Sequence, residues 1–134
     1  MKNFKNFKIR GNDNQIKKQI QDLCKQIVAV AHPEKIILFG SYAYGEPNDD
    51  SDIDLMIIKS FTEHPWDQAA KLRLQIETDM PLDLLVRTPE YVAQRTSIGD
   101  SFMQEITEQG TVLYETDYAG MDKQSRGRLV KRAA

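Results

Sequence analysis

The sequence has one cysteine, one tryptophan and two histidines in 134 residues. A single cysteine, Cys24, cannot close a disulfide within the chain, so a reducing cytoplasmic setting is the default expectation. No stretch approaches the roughly 18 consecutive apolar residues that cross a bilayer. No apolar run follows the opening lysines, and a signal peptide is not expected. Charge of one sign is also lacking: Lys+Arg 18 against Asp+Glu 20 leave a net −2, where a generic nucleic-acid binder is clearly basic. There is no internal repeat and no low-complexity tract. What is present is enough length for one domain. Hydrophobic residues at 40% and charged residues at 28% are the balance of a globular protein that can bury a core.

The small net charge hides a pattern. The first ten residues hold Lys2, Lys5, Lys8 and Arg10 and no acid. From Met121 onward Lys123, Arg126, Arg128, Lys131 and Arg132 face Asp122 alone. The surplus of acid therefore lies between, and an acidic middle suits a bound cation better than a bare anion. These shifts divide the chain into a basic arm over 1–12, a folded domain over 13–116 and a basic tail over 117–134. After Tyr118 little core-forming content remains, so the tail is expected to be mobile or held by a partner.

Ile16, Ile20, Leu23, Cys24, Ile27, Val28 and Ala31 fall on one face of a helix over 13–32. Asn12, Asp13 and Asn14 offer caps, and His32-Pro33 ends it. Cys24 reads as a small core residue and His32 as a helix-end residue. Lys35 to Phe39 reads as a buried strand. Ser41 to Gly45 has room for one helical turn, with Gly45 stopping it in a left-handed conformation. A polar loop over 46–51 leads to a strand over 52–59. Trp66 to Asp79 predicts a helix with Ala69, Leu72, Leu74 and Ile76 inward, and 81–87 a third strand. Thr88 and Pro89 open a further helix, Ser101 to Gln109 forms another that stops at Gly110, and Thr111 to Glu115 is a last strand. The order predicts an α/β (α+β) domain with a small mixed sheet flanked by helices.

Three features carry chemistry. Gly40-Ser41 directly follows a buried strand; glycine allows a tight turn and close approach of a ligand to the backbone. The helical turn behind it presents N–H groups that suit phosphate. Ten residues separate Ser41 from Asp52-Ile53-Asp54, whose two carboxylates lie on one face of a strand, ~7 Å apart or less. They repel each other and lose hydration beside Leu55, Met56, Ile57 and Ile58, costs that a divalent cation removes. Asp83 is a single acid in the apolar run Pro81-Leu82-Asp83-Leu84-Leu85-Val86. If its strand lies beside the second one, Asp83 points at Asp52 and Asp54, and three carboxylates around one point meet the hard-oxygen demand of Mg²⁺. The bland readings are a surface turn for Gly40-Ser41, a solvated strand end for the aspartate pair and an edge-strand acid for Asp83. Tyr42, Tyr91, Tyr114, Trp66 and Phe102 read as core or interface aromatics, and His64 as a loop residue.

The combination of Gly-Ser, a spacer, Asp-x-Asp and a later acid in an apolar strand resembles the nucleotidyltransferase superfamily of DNA polymerase β. Here it reads GSYAYGEPNDDSDIDLMI over 40–57. The short length, the leading helix and PLDLLVRTPEYV over 81–92 resemble the minimal nucleotidyltransferases, or MNT proteins. The resemblance implies a polymerase-β-like fold, with Gly40 and Ser41 holding the nucleotide's terminal phosphates. Asp52 and Asp54 would ligate two Mg²⁺ ions, Asp83 the catalytic ion, and Ser51 would orient Asp52 or touch phosphate. It also implies an antitoxin that transfers AMP from ATP to a tyrosine hydroxyl of a HEPN-domain ribonuclease toxin. Neither nucleic acid nor membrane is an expected partner. One departure stands out: Tyr44 occupies a position where the family often has arginine. A neutral tyrosine donates only a hydrogen bond there, and Arg87, Arg73 and the tail arginines are the candidate replacements. Two alternatives stay open. One is an antitoxin that neutralises by binding alone. The other is a small-molecule nucleotidyltransferase of the aminoglycoside type, which this length disfavours.

Overall fold

The computed structural model describes residues 3–117. The basic tail from Met121 lies outside the described residues. Helix α1 spans Asn14–Ala31. Asp13 caps it by accepting from the N–H groups of Gln15 and Ile16, which satisfies two of the donors every helix start leaves open. It ends at His32, whose φ of 48° is left-handed. Strand β1 (Lys35–Phe39) follows, then the single turn α2 (Ser41–Tyr44), strand β2 (Ile53–Ile58), α3 (Pro65–Gln75), β3 (Leu82–Arg87), α4 (Pro89–Ser97), α5 (Ser101–Gln109) and β4 (Thr111–Glu115).

The strands form one mixed sheet in the order β3-β2-β1-β4. β1 runs antiparallel to both β2 and β4, while β2 and β3 are parallel. The central strands are buried on both faces, as their uninterrupted apolar runs require. One face carries Ile36, Leu38, Ile53, Leu55, Ile57, Leu84 and Val86 against Ile20, Leu23, Cys24 and Ile27 of α1 and Leu72 of α3. The other carries Ile37, Phe39, Met56 and Ile58 under Met103 and Ile106 of α5. Cys24 is buried, and burial pushes its thiol up to about 12, so it is an inert core residue. Among the described residues no helix is long and apolar enough to cross a membrane.

Two local readings need correction. Helix α3 ends at Gln75 rather than running to Asp79. Ile76 turns extended there and buries its side chain, and Gln26 of α1 takes both backbone groups of Glu77, accepting from its N–H at 2.7 Å and donating to its carbonyl at 2.8 Å. Leu74 does not face inward: it is 88% exposed. Residues two apart on a helix point to nearly opposite sides, and Leu72 holds the inner one. Leu74→Gln should therefore change stability by less than about 0.5 kcal/mol in urea unfolding, whereas Leu72→Ala should cost several times as much.

The segment ahead of α1 lies along the sheet. The Lys5 N–H donates to the Leu113 carbonyl at 2.9 Å, and the Glu115 N–H to the Asn3 carbonyl at 3.1 Å. Phe4 sets its ring edge-on to Tyr114 with centroids 5.0 Å apart, and Phe7 is buried. This pairing covers the open edge of β4 and carries the chain on to α2.

Candidate active site

The strand alternation fixes which face holds the acids. Ile53, Leu55 and Ile57 of β2 enter the α1-side core, so Asp54 points to the α5 side with Met56 and Ile58. On β3, Leu82, Leu84 and Val86 take the α1 side, which puts Asp83 on the α5 side as well. Asp54 and Asp83 are register partners across the parallel pair. Asp52, one residue before β2, follows the same alternation. The three carboxylates thus come to one face at one end of the sheet.

Their surroundings differ. Asp52 and Asp83 are exposed and Asp54 is half-buried. Burial first, then the charges of Asp83 and Asp52, push the Asp54 carboxyl up to about 6. Both charge effects are those of like charges disfavouring ionisation. Among the described residues no three His, Cys, Asp or Glu side chains are already gathered into a cage that could hold a metal ion. Still, the donors are hard carboxylate oxygens, and a desolvated carboxylate crowded by two others is one that a divalent cation would relieve.

The turn after β1 stands directly against this cluster. Phe39 is the antiparallel partner of Asp54. The next residue, Gly40, has φ 74° and ψ −154°, a conformation all but restricted to glycine. A Cβ on Gly40 would collide with the Asp54 carboxylate and lie 3.0 Å from its Cγ. The Ala43 and Tyr44 N–H groups both donate to the Gly40 carbonyl at 3.0 Å. Gly45 differs from expectation: its φ of −105° is not left-handed. Its requirement is steric, since a Cβ there would come 2.7 Å from Ser41 Cα. Ser51 closes the loop before β2, its Oγ accepting from the Asn48 N–H at 2.8 Å. That bond engages the Ser51 hydroxyl in holding the loop that leads into Asp52.

Tyr44 packs on the α5-side core. Burial, opposed in part by a hydrogen bond with the Gly40 backbone and reinforced by the charges of Glu105 and Asp54, pushes its hydroxyl above the ordinary phenol range. It is a neutral hydroxyl beside the acids. Phe102, half exposed, sets its ring edge-on to Phe39 with centroids 5.9 Å apart and forms an apolar rim. Of the candidate replacement cations, Arg73 donates from Nη2 to the Leu82 carbonyl. Arg87 donates from Nη1 to the Val86 carbonyl and stacks 5.7 Å from the Tyr91 ring centroid. Among the described residues, the arginine that bonds to the Gly40–Gly45 turn is Arg10, which sequence reasoning passed over. The Arg10 N–H donates to the Tyr42 carbonyl at 2.7 Å, and its Nε to the Gly45 carbonyl at 3.0 Å. The available signal was the interleaving of Phe4, Phe7 and Ile9 with Lys5, Lys8 and Arg10, which marks a packed segment rather than a solvated arm.

Comparison with known proteins agrees with this geometry. The sequence profile of a family described as polymerase beta, nucleotidyltransferase, matches residues 15–119. A protein of Methanocaldococcus jannaschii named "Putative protein adenylyltransferase" is 35% identical over 82 residues, which is 60% of this chain and 78% of the relative. The crystal structure of a protein from Sulfolobus solfataricus, described as a "putative nucleotidyltransferase", superposes with a TM-score of 0.54. That likeness spans 81% of this chain and 93% of the other at 15% identity, and shows a shared fold. A chain from a structure described as a toxin-antitoxin with AMP-PNP aligns over 92% of this chain and the whole of the other, at 22% identity and a TM-score of 0.44.

Proposed function

The chain belongs to the polymerase β nucleotidyltransferase family, and we propose that it is a Mg²⁺-dependent protein adenylyltransferase acting as an antitoxin. In this reading it moves AMP from ATP to a tyrosine hydroxyl of a HEPN-domain toxin in the cytoplasm. The observation that carries the reading is the Gly40 backbone lying against the Asp54 carboxylate, with Asp83 in register beside it. Phosphate can approach a residue that lacks a side chain, and it arrives next to the acids that would hold the cation. The name of the M. jannaschii relative supports AMP as the group transferred.

Asp52, Asp54 and Asp83 would hold the metal. When bound, Mg²⁺ supplies charge neutralisation at the phosphates and acidifies the acceptor hydroxyl. Gly40 and Ser41 would orient the terminal phosphates, and Ser51, through its loop, would orient Asp52. Asp83, an exposed carboxylate, would receive the acceptor's proton. The hydroxyl oxygen then bonds to the α-phosphorus as the bond to the bridging oxygen breaks and pyrophosphate leaves.

The test is intact-mass measurement of the toxin encoded beside this gene after incubation with the protein, ATP and Mg²⁺. One or more added AMP groups are expected, and an unchanged mass beside an active control enzyme rejects the reading. Tyr44, a neutral group next to Asp54 and Glu105, favours a second reading in which binding alone neutralises the toxin. Neutralisation that survives the Asp52→Ala, Asp54→Ala double change would support it.

A further inference from the structure

We propose that Arg10 is a positioning residue for the nucleotide site, tethering the far end of the Gly40–Gly45 turn so that Gly40 and Ser41 stay in place against Asp54. The inference rests on the nucleotidyltransferase reading of that turn.

Helix α2 has four residues, too few to pay its own cost of nucleation. Something outside it must hold it. At its start the turn is anchored by β1 and by the close approach of Gly40 to Asp54. At its other end the last carbonyls of a helix have no partner within it. Arg10 supplies two: its N–H to the Tyr42 carbonyl at 2.7 Å and its Nε to the Gly45 carbonyl at 3.0 Å. A cation at this end also suits the negative pole of a helical turn.

Arg10 can act as a tether because the segment before it is fixed. Asn3 and Lys5 bond to Glu115 and Leu113 of β4. Phe7 is buried, with the Lys17 ammonium 5.4 Å from its ring centroid. The arm therefore links the outer edge of the sheet at β4 to the turn between β1 and β2. The positive charge lost at Tyr44 is not restored at the phosphates by this contact. What Arg10 provides is rigidity of the backbone that meets them.

Two measurements on the full chain test this, one of them independent of catalysis. In amide hydrogen exchange without nucleotide, Arg10→Ala, which keeps the backbone bond to Tyr42 but removes the Nε bond to Gly45, should speed exchange at Ala43, Tyr44 and Gly45 about tenfold, as the loss of one charge-assisted hydrogen bond allows. The amides of β1 and β2 should be unchanged. In equilibrium binding and steady-state kinetics, Arg10→Ala should raise the Kd and KM for Mg·ATP about tenfold and leave the KM for the acceptor unchanged. Arg10→Lys, which keeps the backbone bond and the charge but loses the Nε donor, should fall between. Lys8→Ala, a neighbouring exposed cation, should behave as wild type. Unchanged exchange at the turn overturns the proposal. So does faster exchange with unaltered Mg·ATP affinity, which would make Arg10 merely structural. A wild-type chain that binds no Mg·ATP overturns the nucleotide reading itself, and the exchange result separates that failure from failure of the tether.

Discussion

Asp54→Asn is expected to lower AMP transfer by about a thousandfold and to raise the melting temperature at pH 7 in the absence of metal. The loss follows from position. Asp54 is flanked by Asp83 in register on one side and by the Gly40 turn on the other, so under the proposed function its carboxylate would serve both the metal and the phosphate subsites. Removing a single preorganised charge from such a site costs on the order of 10²–10³ in kcat, and an amide is a far poorer ligand for Mg²⁺. The gain in stability comes from the same surroundings. Asp54 has its pKa raised from 3.8 to about 6 by burial and by Asp83 and Asp52. Between those values the folded chain binds more protons than the unfolded one. Stability is thus fullest below about pH 4 and falls as the pH rises through about 6, after which it levels off. For a carboxyl that is only half-buried, solvent screening reduces the effect to about 1–2 kcal/mol. The asparagine variant should lose this pH dependence and melt a few degrees higher at pH 7. Adding Mg²⁺ should stabilise the wild type and leave the variant unmoved. Calorimetry from pH 4 to pH 8, with and without Mg²⁺, measures all three. A variant that melts with the same pH profile as the wild type would show that Asp54 is not the strained carboxylate.

Much of this site was legible because strands carry their information locally. Alternation alone put Asp52 and Asp54 on one face, and the apolar flanks of Asp83 marked a strand whose acid needed a reason. Whether Asp83 faced its partners depended on β3 lying parallel beside β2 in a register that sets Asp83 opposite Asp54. That is a long-range fact, and only the resemblance to a known motif anticipated it. The misreadings are also instructive. Gly45 was assigned a left-handed cap because glycine so often serves there, whereas it is needed for its missing Cβ against Ser41. Leu74 was drawn inward by its hydrophobicity, although Leu72 had already claimed that side of α3. Arg10 escaped because its two acceptors, the carbonyls of Tyr42 and Gly45, lie more than thirty residues away and no periodicity links them.

Gly40→Ala should be the most damaging small substitution in the domain, and a second change shows why. The alanine would have to adopt φ 74°, ψ −154°, a conformation costing about 1–3 kcal/mol for any residue with a side chain. Its methyl would also occupy the space of the Asp54 carboxylate. Either β1 and α2 separate or Asp54 rotates away, so destabilisation of about 2–4 kcal/mol is expected, with transfer activity lost along with the geometry. The two costs are separable. In the Gly40→Ala, Asp54→Gly double variant the collision is gone, leaving the backbone strain at residue 40 and the smaller cost of a glycine inside β2, which the Asp54→Gly single variant measures. The double variant should therefore unfold at a higher urea concentration than Gly40→Ala alone, while staying inactive because Asp54 is absent. A double-mutant cycle in urea gives the coupling between the two positions, expected at about 1–2 kcal/mol. Coupling near zero would mean that Gly40 is required for its backbone conformation alone. The contact between glycine and aspartate, on which the proposed nucleotide site rests, would then have no energetic substance.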